Sequence, residues 1–208
     1  MDINKKVVGS VYEDKETESE IAGEVVKVFS GDCYVTDKRN QVMVTVLGSC
    51  ISACIRDPFV KVGGMNHFLL PDGTNAADAP LRYGAYSMEK LINDILKLGG
   101  KKERLEVKIF GGGNVIESSA MIGDKNVKFI KEYLLNEGIK INGQDLGGNS
   151  PRRIHYFPDT GRVMMKKIRG DREVAQVKQE EKRYIKKIKD TVSHENDRDK
   201  SGSGVELF

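Results

Sequence analysis

Several residue types are absent or scarce in this chain of 208 residues. It has no tryptophan, five prolines and only three cysteines. An odd and sparse set of cysteines argues against a disulfide framework and fits a reducing compartment. No apolar run approaches the roughly 18 residues that span a membrane, and the N-terminus lacks the apolar core of a secretion signal. We therefore expect a cytoplasmic protein that does not insert into membranes.

Neither sign of charge dominates the chain. Its 34 basic and 31 acidic residues leave a formal net charge of +3, so no nucleic-acid partner is indicated. The glycines at 111–113 are not followed by the Lys-Ser/Thr pair of a phosphate-binding loop. We expect no nucleotide and no other cofactor.

Composition divides the chain into three parts. Residues 1–22 are charged and hold few apolar side chains, which predicts a mobile N-terminal segment. Residues 23–168 carry the strand and helix patterns of one domain, long enough to bury a core. Residues 169–208 are dense in Lys, Arg, Glu and Gln, which predicts a charged, mobile tail. At most it would form a solvated helix that buries little and is not needed for folding.

Apolar periodicity within the domain predicts several strands and two amphipathic helices. The helices are expected over 86–98 and from about 124 to 138. The strands are expected over 21–29, 33–35, 41–46, 105–110, 139–146, 153–157 and 163–168, besides a hairpin discussed next. Strands that form hairpins, with helices between some of them, favour an α+β fold in which helices pack against a mixed sheet.

The stretch 44–71 holds the residues best suited to chemistry. Cys50 follows a Leu-Gly-Ser turn and precedes a strand-like run over 51–56. His67 ends a Gly-Gly-Met-Asn sequence within a second strand-like run over 62–70. An imidazole beside a thiol raises the thiolate fraction and can move protons. The hypothesis is therefore a nucleophilic cysteine with a histidine base.

A hairpin would bring these two side chains together. An even loop centred between Pro58 and Phe59 pairs positions whose numbers sum to 117, which sets Cys50 opposite His67. Opposed residues have Cβ atoms about 4.5–5.5 Å apart. Spacing alone leaves two alternatives open. Cys50 could be a small buried hydrophobe, and His67 could be an ordinary core residue. A metal site that adds Cys54 is disfavoured, because four residues of strand span about 13 Å.

Longer motifs in this chain resemble one known family. TVLGSC, ACIRDP and GGMNHFLLP are similar to the chemoreceptor glutamine deamidases of bacterial chemotaxis, CheD. The resemblance continues through RYGAYSMEKLIND, KIFGGG, IGDKNVKF and DLGGNSPRR, and covers about residues 24–168. It implies a layered sandwich of mixed β-sheets flanked by helices, similar to a bacterial toxin deamidase domain.

The same resemblance implies roles for particular residues. Cys50 matches the family's nucleophile and His67 its base. Thr45 matches a threonine that orients the base, although it also fits an ordinary strand position. Ser49, Asn66 and Gly112 are the expected substrate or oxyanion contacts; for the glycines of the chain, the alternative is that they form tight turns.

The resemblance also implies an activity and partners. The activity is deamidation of glutamine to glutamate on the cytoplasmic helices of methyl-accepting chemotaxis receptors. The alternative is an adaptor whose site binds the chemotaxis phosphatase CheC. A thiol redox protein is a third hypothesis, which the lack of a suitably spaced resolving cysteine disfavours.

Overall fold

Two β-sheets and three α-helices make up the part of the chain that the structure describes. The structure is a computed structural model, and it describes residues 11–13, 23–70, 79–115 and 120–201. The predicted α+β class is confirmed. The strands are β1 Val11–Glu13, β2 Glu24–Lys27, β3 Cys33–Thr36, β4 Gln41–Leu47, β5 Ile51–Asp57, β6 Val62–Asn66, β7 Glu106–Gly111, β8 Ile141–Leu146, β9 Arg152–Phe157 and β10 Arg162–Lys167. The helices are α1 Ala79–Lys97, α2 Ala120–Asn136 and α3 Asp171–Ser201, with a short 3₁₀ turn at Lys102–Arg104.

Each sheet has five strands and mixes parallel with antiparallel pairs. The first sheet has the order β1-β10-β9-β4-β2, and the second has the order β3-β6-β5-β7-β8. The chain crosses from the first sheet to the second between β4 and β5. Residues 48–50 make that crossing, so Cys50 lies where the two sheets meet.

Two apolar cores lie on opposite faces of the second sheet. Ile51 and Ile55 of β5 pack with residues of α1 and α2 in one core. Cys50 and Cys54 pack in the other core, with residues of the first sheet. Successive side chains of a strand point to opposite faces, and both faces of β5 are covered. The thiol of Cys50 is therefore an interior group of this second core, to which α3 also contributes Ile188.

The β5–β6 hairpin is present, but its predicted register is wrong. Cys54 pairs with Met65 and Asp57 with Val62, so paired positions sum to 119 rather than 117. Beyond the strands, Ile51 bridges to Phe68 in the same register. Cys50 is therefore not directly opposite His67. A slip of two residues keeps each side chain on the face that was expected.

Asp57 explains the difference in register. Its side chain is fully buried, and its Oδ1 accepts the N–H of Phe59 at 2.9 Å. Its Oδ2 accepts the Arg104 Nε at 2.8 Å. Asp57 is thereby held in the last pair of the hairpin, and the loop runs over 58–61, with Lys61 at a φ of 58°. The loop centre moves by one residue toward the C-terminus.

The structure describes parts of both terminal segments. Residues 11–13, in the segment expected to be mobile, form β1 beside β10, while the rest of 1–22 lies outside the described residues. The tail expected to bury little forms α3 from Asp171 onward. Val177 and Ile188 of α3 are buried at 7% and 5% exposure. These apolar residues are few, but they share one helix face, and this packs the helix on the domain.

We predict that Asp57→Ala lowers the free energy of unfolding by about 3 kcal/mol. The reason is that Phe59, Lys101 and Arg104 each lose the carboxylate that accepts their hydrogen bond. Urea denaturation of the purified protein measures this loss. Glu103→Ala removes an exposed carboxylate from the same region and should change stability by less than about 0.5 kcal/mol. Equal losses for the two variants would contradict this account of the hairpin.

Candidate active site

The turn that carries Cys50 is held on several sides. The Gly112 N–H donates to the Cys50 carbonyl at 2.8 Å, and the Gly113 N–H donates to the Gly48 carbonyl at 2.7 Å. The side-chain amide of Asn126 donates to the Ser49 carbonyl at 2.8 Å. The turn therefore has its backbone fixed before any substrate arrives, which preorganises the thiol and the neighbouring N–H groups.

Asn126 is a site residue that the sequence reasoning missed. It lies on α2, is fully buried, and its Oδ1 accepts the Leu70 N–H at 2.8 Å. It thus joins the Cys50 turn to the chain just beyond His67. A signal for it exists in the sequence, because it stands four residues from each of the buried Ile122 and Ile130, in the middle of an apolar helix stripe.

The imidazole of His67 is oriented by Thr45. Its Nδ1 lies 2.8 Å from Thr45 Oγ1, and that hydroxyl donates its proton to the Val28 carbonyl at 2.8 Å. A hydroxyl has one proton, so Thr45 must accept from Nδ1–H. This assigns the tautomer: Nε2 carries the lone pair and is the ring nitrogen that can act as a base.

Ser30 lies between the imidazole and the thiol. Its Oγ is 3.2 Å from His67 Nε2, and its hydroxyl acts to lower the pKa of the Cys50 thiol. Ser30 is thus near both groups, while His67 continues the polar contacts to Thr45. Sequence reasoning missed Ser30, because a serine in a short loop carries no signal of its own. The structure brings the predicted Cys50, His67 and Thr45 into one site, with Ser30 as the connecting group.

Burial keeps both chemical groups neutral in this structure. The pKa of Cys50 is raised well above its usual value, first by burial and then by the negative charge and hydrogen bond of Glu181, while the Ser30 hydroxyl acts in the opposite direction. Burial lowers the pKa of His67 to about 4. The expected resting pair is a neutral thiol and a neutral imidazole, rather than an ion pair.

Glu181 of α3 brings a carboxylate to the Cys50 turn. Its Oε1 accepts the Ser49 N–H at 2.6 Å and the Cys50 N–H at 3.2 Å. Its Oε2 accepts the Ser49 hydroxyl at 3.1 Å. A Cβ on Gly48 would lie 2.7 Å from the carboxylate atoms, so a larger residue there would push the Glu181 side chain aside. Two backbone N–H groups therefore converge beside the thiol on a site that holds a negatively charged oxygen.

The three predicted substrate or oxyanion contacts have different outcomes. Ser49 does lie at the site and contributes both its N–H and its hydroxyl. The side chain of Asn66 faces the helix side instead, since it accepts the Ala53 N–H at 2.9 Å and donates to Ser87. The Gly112 N–H is engaged by the Cys50 carbonyl. In this structure neither Asn66 nor Gly112 offers a donor to a substrate.

A cleft of about 350 Å³ leads to the site. His67, Ser30 and Glu181 line it, together with Arg153 and Val177. Cys50 itself is fully buried, and His67 is 4% exposed. The cleft therefore reaches the imidazole, while α3 covers the thiol.

The described residues hold neither a metal-binding cluster nor a membrane-spanning helix. Within the described ranges, no group of three or more His, Cys, Asp or Glu side chains is arranged to hold a metal ion. No helix in this part of the chain has the length and apolar character needed to cross a membrane.

We predict that His67 makes the protein less stable as the pH falls from about 6.5 to 4. The unfolded state binds a proton in this range and the folded state does not, because the folded pKa is about 4. The slope contributed by His67 is at most about 1.4 kcal/mol per pH unit. Urea denaturation at several pH values measures it.

His67→Asn should remove this part of the slope, because asparagine does not titrate. The other titrating groups are common to both proteins and cancel in the comparison. If wild type and variant lost stability in parallel between pH 6.5 and 4, the depressed pKa of His67 would be wrong.

Comparison with known proteins gives one consistent family. A family model described as CheD chemotactic sensory transduction matches residues 69–167. A Rhodopseudomonas palustris protein named probable chemoreceptor glutamine deamidase CheD is 56% identical over 144 residues, which is 67% of this chain and 68% of that protein. A Methylobacillus flagellatus protein of the same name is 45% identical over 195 residues, covering 90% of this chain and 93% of that one.

Solved structures offer only a distant likeness. A Neisseria meningitidis protein of the DUF152 family superposes with a TM-score of 0.38 at 9% identity, over 62% of this chain and 64% of that one. A likeness of this size carries no argument about fold or function. The sequence relatives are decisive, and they show that the chain belongs to the CheD family.

Proposed function

We propose that this protein deamidates glutamine side chains of chemotaxis receptors, using Cys50 as a nucleophile. The names of its relatives suggest the reaction and the substrate. The observation that carries the proposal is the meeting of three groups at one point. They are a thiol, two convergent backbone N–H groups, and an imidazole whose lone pair is assigned to Nε2.

The first step is proton removal from Cys50. His67 Nε2 takes the proton by way of the Ser30 hydroxyl, which gives its own proton to Nε2 at 3.2 Å and receives that of the thiol. The thiolate attacks the amide carbon of the glutamine, and the carbonyl oxygen becomes an oxyanion. The N–H groups of Ser49 and Cys50 stabilise it, in the place where Glu181 Oε1 now lies.

The remaining steps balance the atoms of a hydrolysis. Protonated His67 gives its proton to the departing nitrogen, the carbon–nitrogen bond breaks, and ammonia leaves a thioester on Cys50. His67 then removes a proton from water, whose oxygen attacks the thioester. The carbon–sulfur bond breaks, the thiol is restored, and the product side chain is glutamate.

Thr45 is a positioning residue in this scheme. It touches neither the substrate nor the thiol in the described geometry, and acts by accepting the Nδ1–H of His67. The Val28 carbonyl fixes the direction of its own proton. This arrangement keeps the basic lone pair on Nε2 throughout the cycle.

The adaptor alternative has one observation in its favour. The turn that bears Cys50 already holds a carboxylate side chain, that of Glu181. An acidic side chain of a protein partner, such as the phosphatase CheC, would fit the same donors without being turned over. Catalysis and this kind of binding use one site, so the two functions are mutually exclusive at any moment.

We predict that Cys50→Ala abolishes ammonia release from receptor cytoplasmic fragments, because a methyl group has no nucleophilic lone pair. His67→Ala should lower the rate by about 10²- to 10⁴-fold, the usual contribution of a general base. Peptide mass spectrometry identifies each glutamine converted to glutamate. Cys54→Ala is the matched control, since it removes a second buried thiol from the same apolar core. Wild-type conversion by the Cys50→Ala protein would exclude the proposed nucleophile.

We predict that Thr45→Val lowers kcat by about 100-fold, since the imidazole loses the contact that holds it in place. Thr45→Ser keeps the hydroxyl and should retain most of the activity. The pH–rate profile distinguishes positioning from general destabilisation, because only loss of the contact with His67 shifts the acidic limb, where the base titrates. Similar activity in the valine and serine variants would count against a role for the hydroxyl.

A further inference from the structure

Glu181 is a buried acid on a helix that is otherwise mostly charged and exposed. Its side chain is 4% exposed, and its carboxylate binds the turn of the nucleophile rather than a basic side chain. Beside burial, its negative charge raises the pKa of the Cys50 thiol. A helix that only had to cover the domain would be expected to bring an apolar side chain to this position, since burying a carboxylate carries a desolvation penalty.

The proposed reaction offers an explanation for the position of the Glu181 carboxylate. Deamidation turns a glutamine side chain into a glutamate side chain, and the product leaves from the same donors that stabilised the oxyanion. Glu181 is a glutamate side chain, and its Oε1 accepts both of the N–H groups assigned to that task. Its position therefore matches that of a bound reaction product.

The rest of α3 resembles a bound helical substrate. Val177, Tyr184 and Ile188 stand four residues before, three after and seven after Glu181, which puts all four on one helix face. Val177 and Ile188 are buried, and the Tyr184 hydroxyl lies 2.6 Å from that of Tyr83 on α1. The stretch from 177 to 188 spans about 16 Å of helix, enough to fill an elongated groove.

We propose that α3 occupies the groove that receives the substrate helix, with Glu181 in the seat of the deamidated side chain. The proposal rests on the deamidase function and extends it. The preferred substrate is a glutamine in an amphipathic α-helix, with apolar residues four positions before it and seven after it. The substrate helix replaces α3, because Cys50 has no exposed surface while α3 is in place.

The docked helix also suppresses the chemistry. The carboxylate occupies the donors that an oxyanion needs, and its charge opposes formation of a thiolate on Cys50. Departure of α3 frees the donors and removes that charge in one step. The same movement thus opens the groove and makes the nucleophile more reactive.

The decisive experiment makes the protein its own substrate. Glu181→Gln places an amide where the product carboxylate lies, with its carbonyl oxygen toward the N–H groups of Ser49 and Cys50. The full-length variant should convert this amide back to glutamate and release one ammonia per molecule. Peptide mass spectrometry after purification, followed over time, detects the conversion at this position.

Two controls separate the reaction from chance deamidation. Glu180→Gln makes the same change at the neighbouring exposed position and should stay unconverted. The double variant Cys50→Ala with Glu181→Gln should also keep its amide, because it lacks the nucleophile. Conversion only in the single Glu181→Gln variant supports the proposal.

Parallel turnover of a receptor cytoplasmic fragment distinguishes the possible failures. If wild type deamidates the fragment but the amide at position 181 persists, Glu181 is a structural anchor and the inference is overturned. If the fragment and the amide are both unconverted, the proposed function fails, and this inference fails with it.

Cysteine alkylation tests whether α3 shields Cys50 from solvent, and this test does not require turnover of a substrate. In wild type, iodoacetamide should label the partly exposed Cys33 before the buried Cys50. Val177→Asp, which puts a charge on the packed face of α3, should speed the labelling of Cys50 at least tenfold relative to Cys33. Gln176→Asp, on the exposed face, should not. Equal labelling of Cys50 in all three proteins would overturn the proposed displacement.

Discussion

A carboxylate taken out of water must be met by donors, and this requirement organises the site around Glu181. The donors come from the backbone of Ser49 and Cys50, which can offer them only because the β4–β5 turn is held open. Gly48 suits the same contact, since a Cβ there would push the carboxylate aside. The conformation of the Cys50 turn and the position of α3 are thus joined by one cluster of hydrogen bonds.

The crossing between the sheets is what makes such a cluster possible. Residues 48–50 belong to neither sheet, so their N–H groups are not used by a strand ladder. Asn126 fixes this turn from α2 and also binds Leu70, which keeps His67 at a constant distance from the thiol turn. On the other side, Thr45 comes from the first sheet. The site therefore depends on both sheets and a helix holding their relative positions.

Local patterns in the sequence predicted most elements but not their alignment. Alternation in 51–56 identified β5, and the motif around it identified Cys50 and His67. The predicted β5–β6 register was wrong because Asp57 binds Phe59 and Arg104. Arg104 is 47 residues away in the sequence, so local patterns do not reveal this contact. Ser30 was missed because its contact with His67 joins residues 37 positions apart, and a serine in a short loop carries no signal of its own. Glu181 and Asn126 were different, since each is a polar residue on an apolar helix stripe. The charged composition of residues 169–208 hid the stripe of α3.

In the proposed arrangement, a substrate helix must compete for the groove with α3, which is covalently joined to the domain. A helix joined to the domain by a short connection has an effective local concentration of about the millimolar range, so α3 is a strong competitor even if its own contacts are weak. A single free receptor helix would displace it poorly. Several substrate helices held close together would present a high local density, which would offset the advantage of the tether. The buried charge of Glu181 acts in the same direction, because its desolvation weakens the docked state by an amount that a neutral glutamine does not incur. The proposed exchange of α3 for a substrate helix is thus favoured where such helices are clustered.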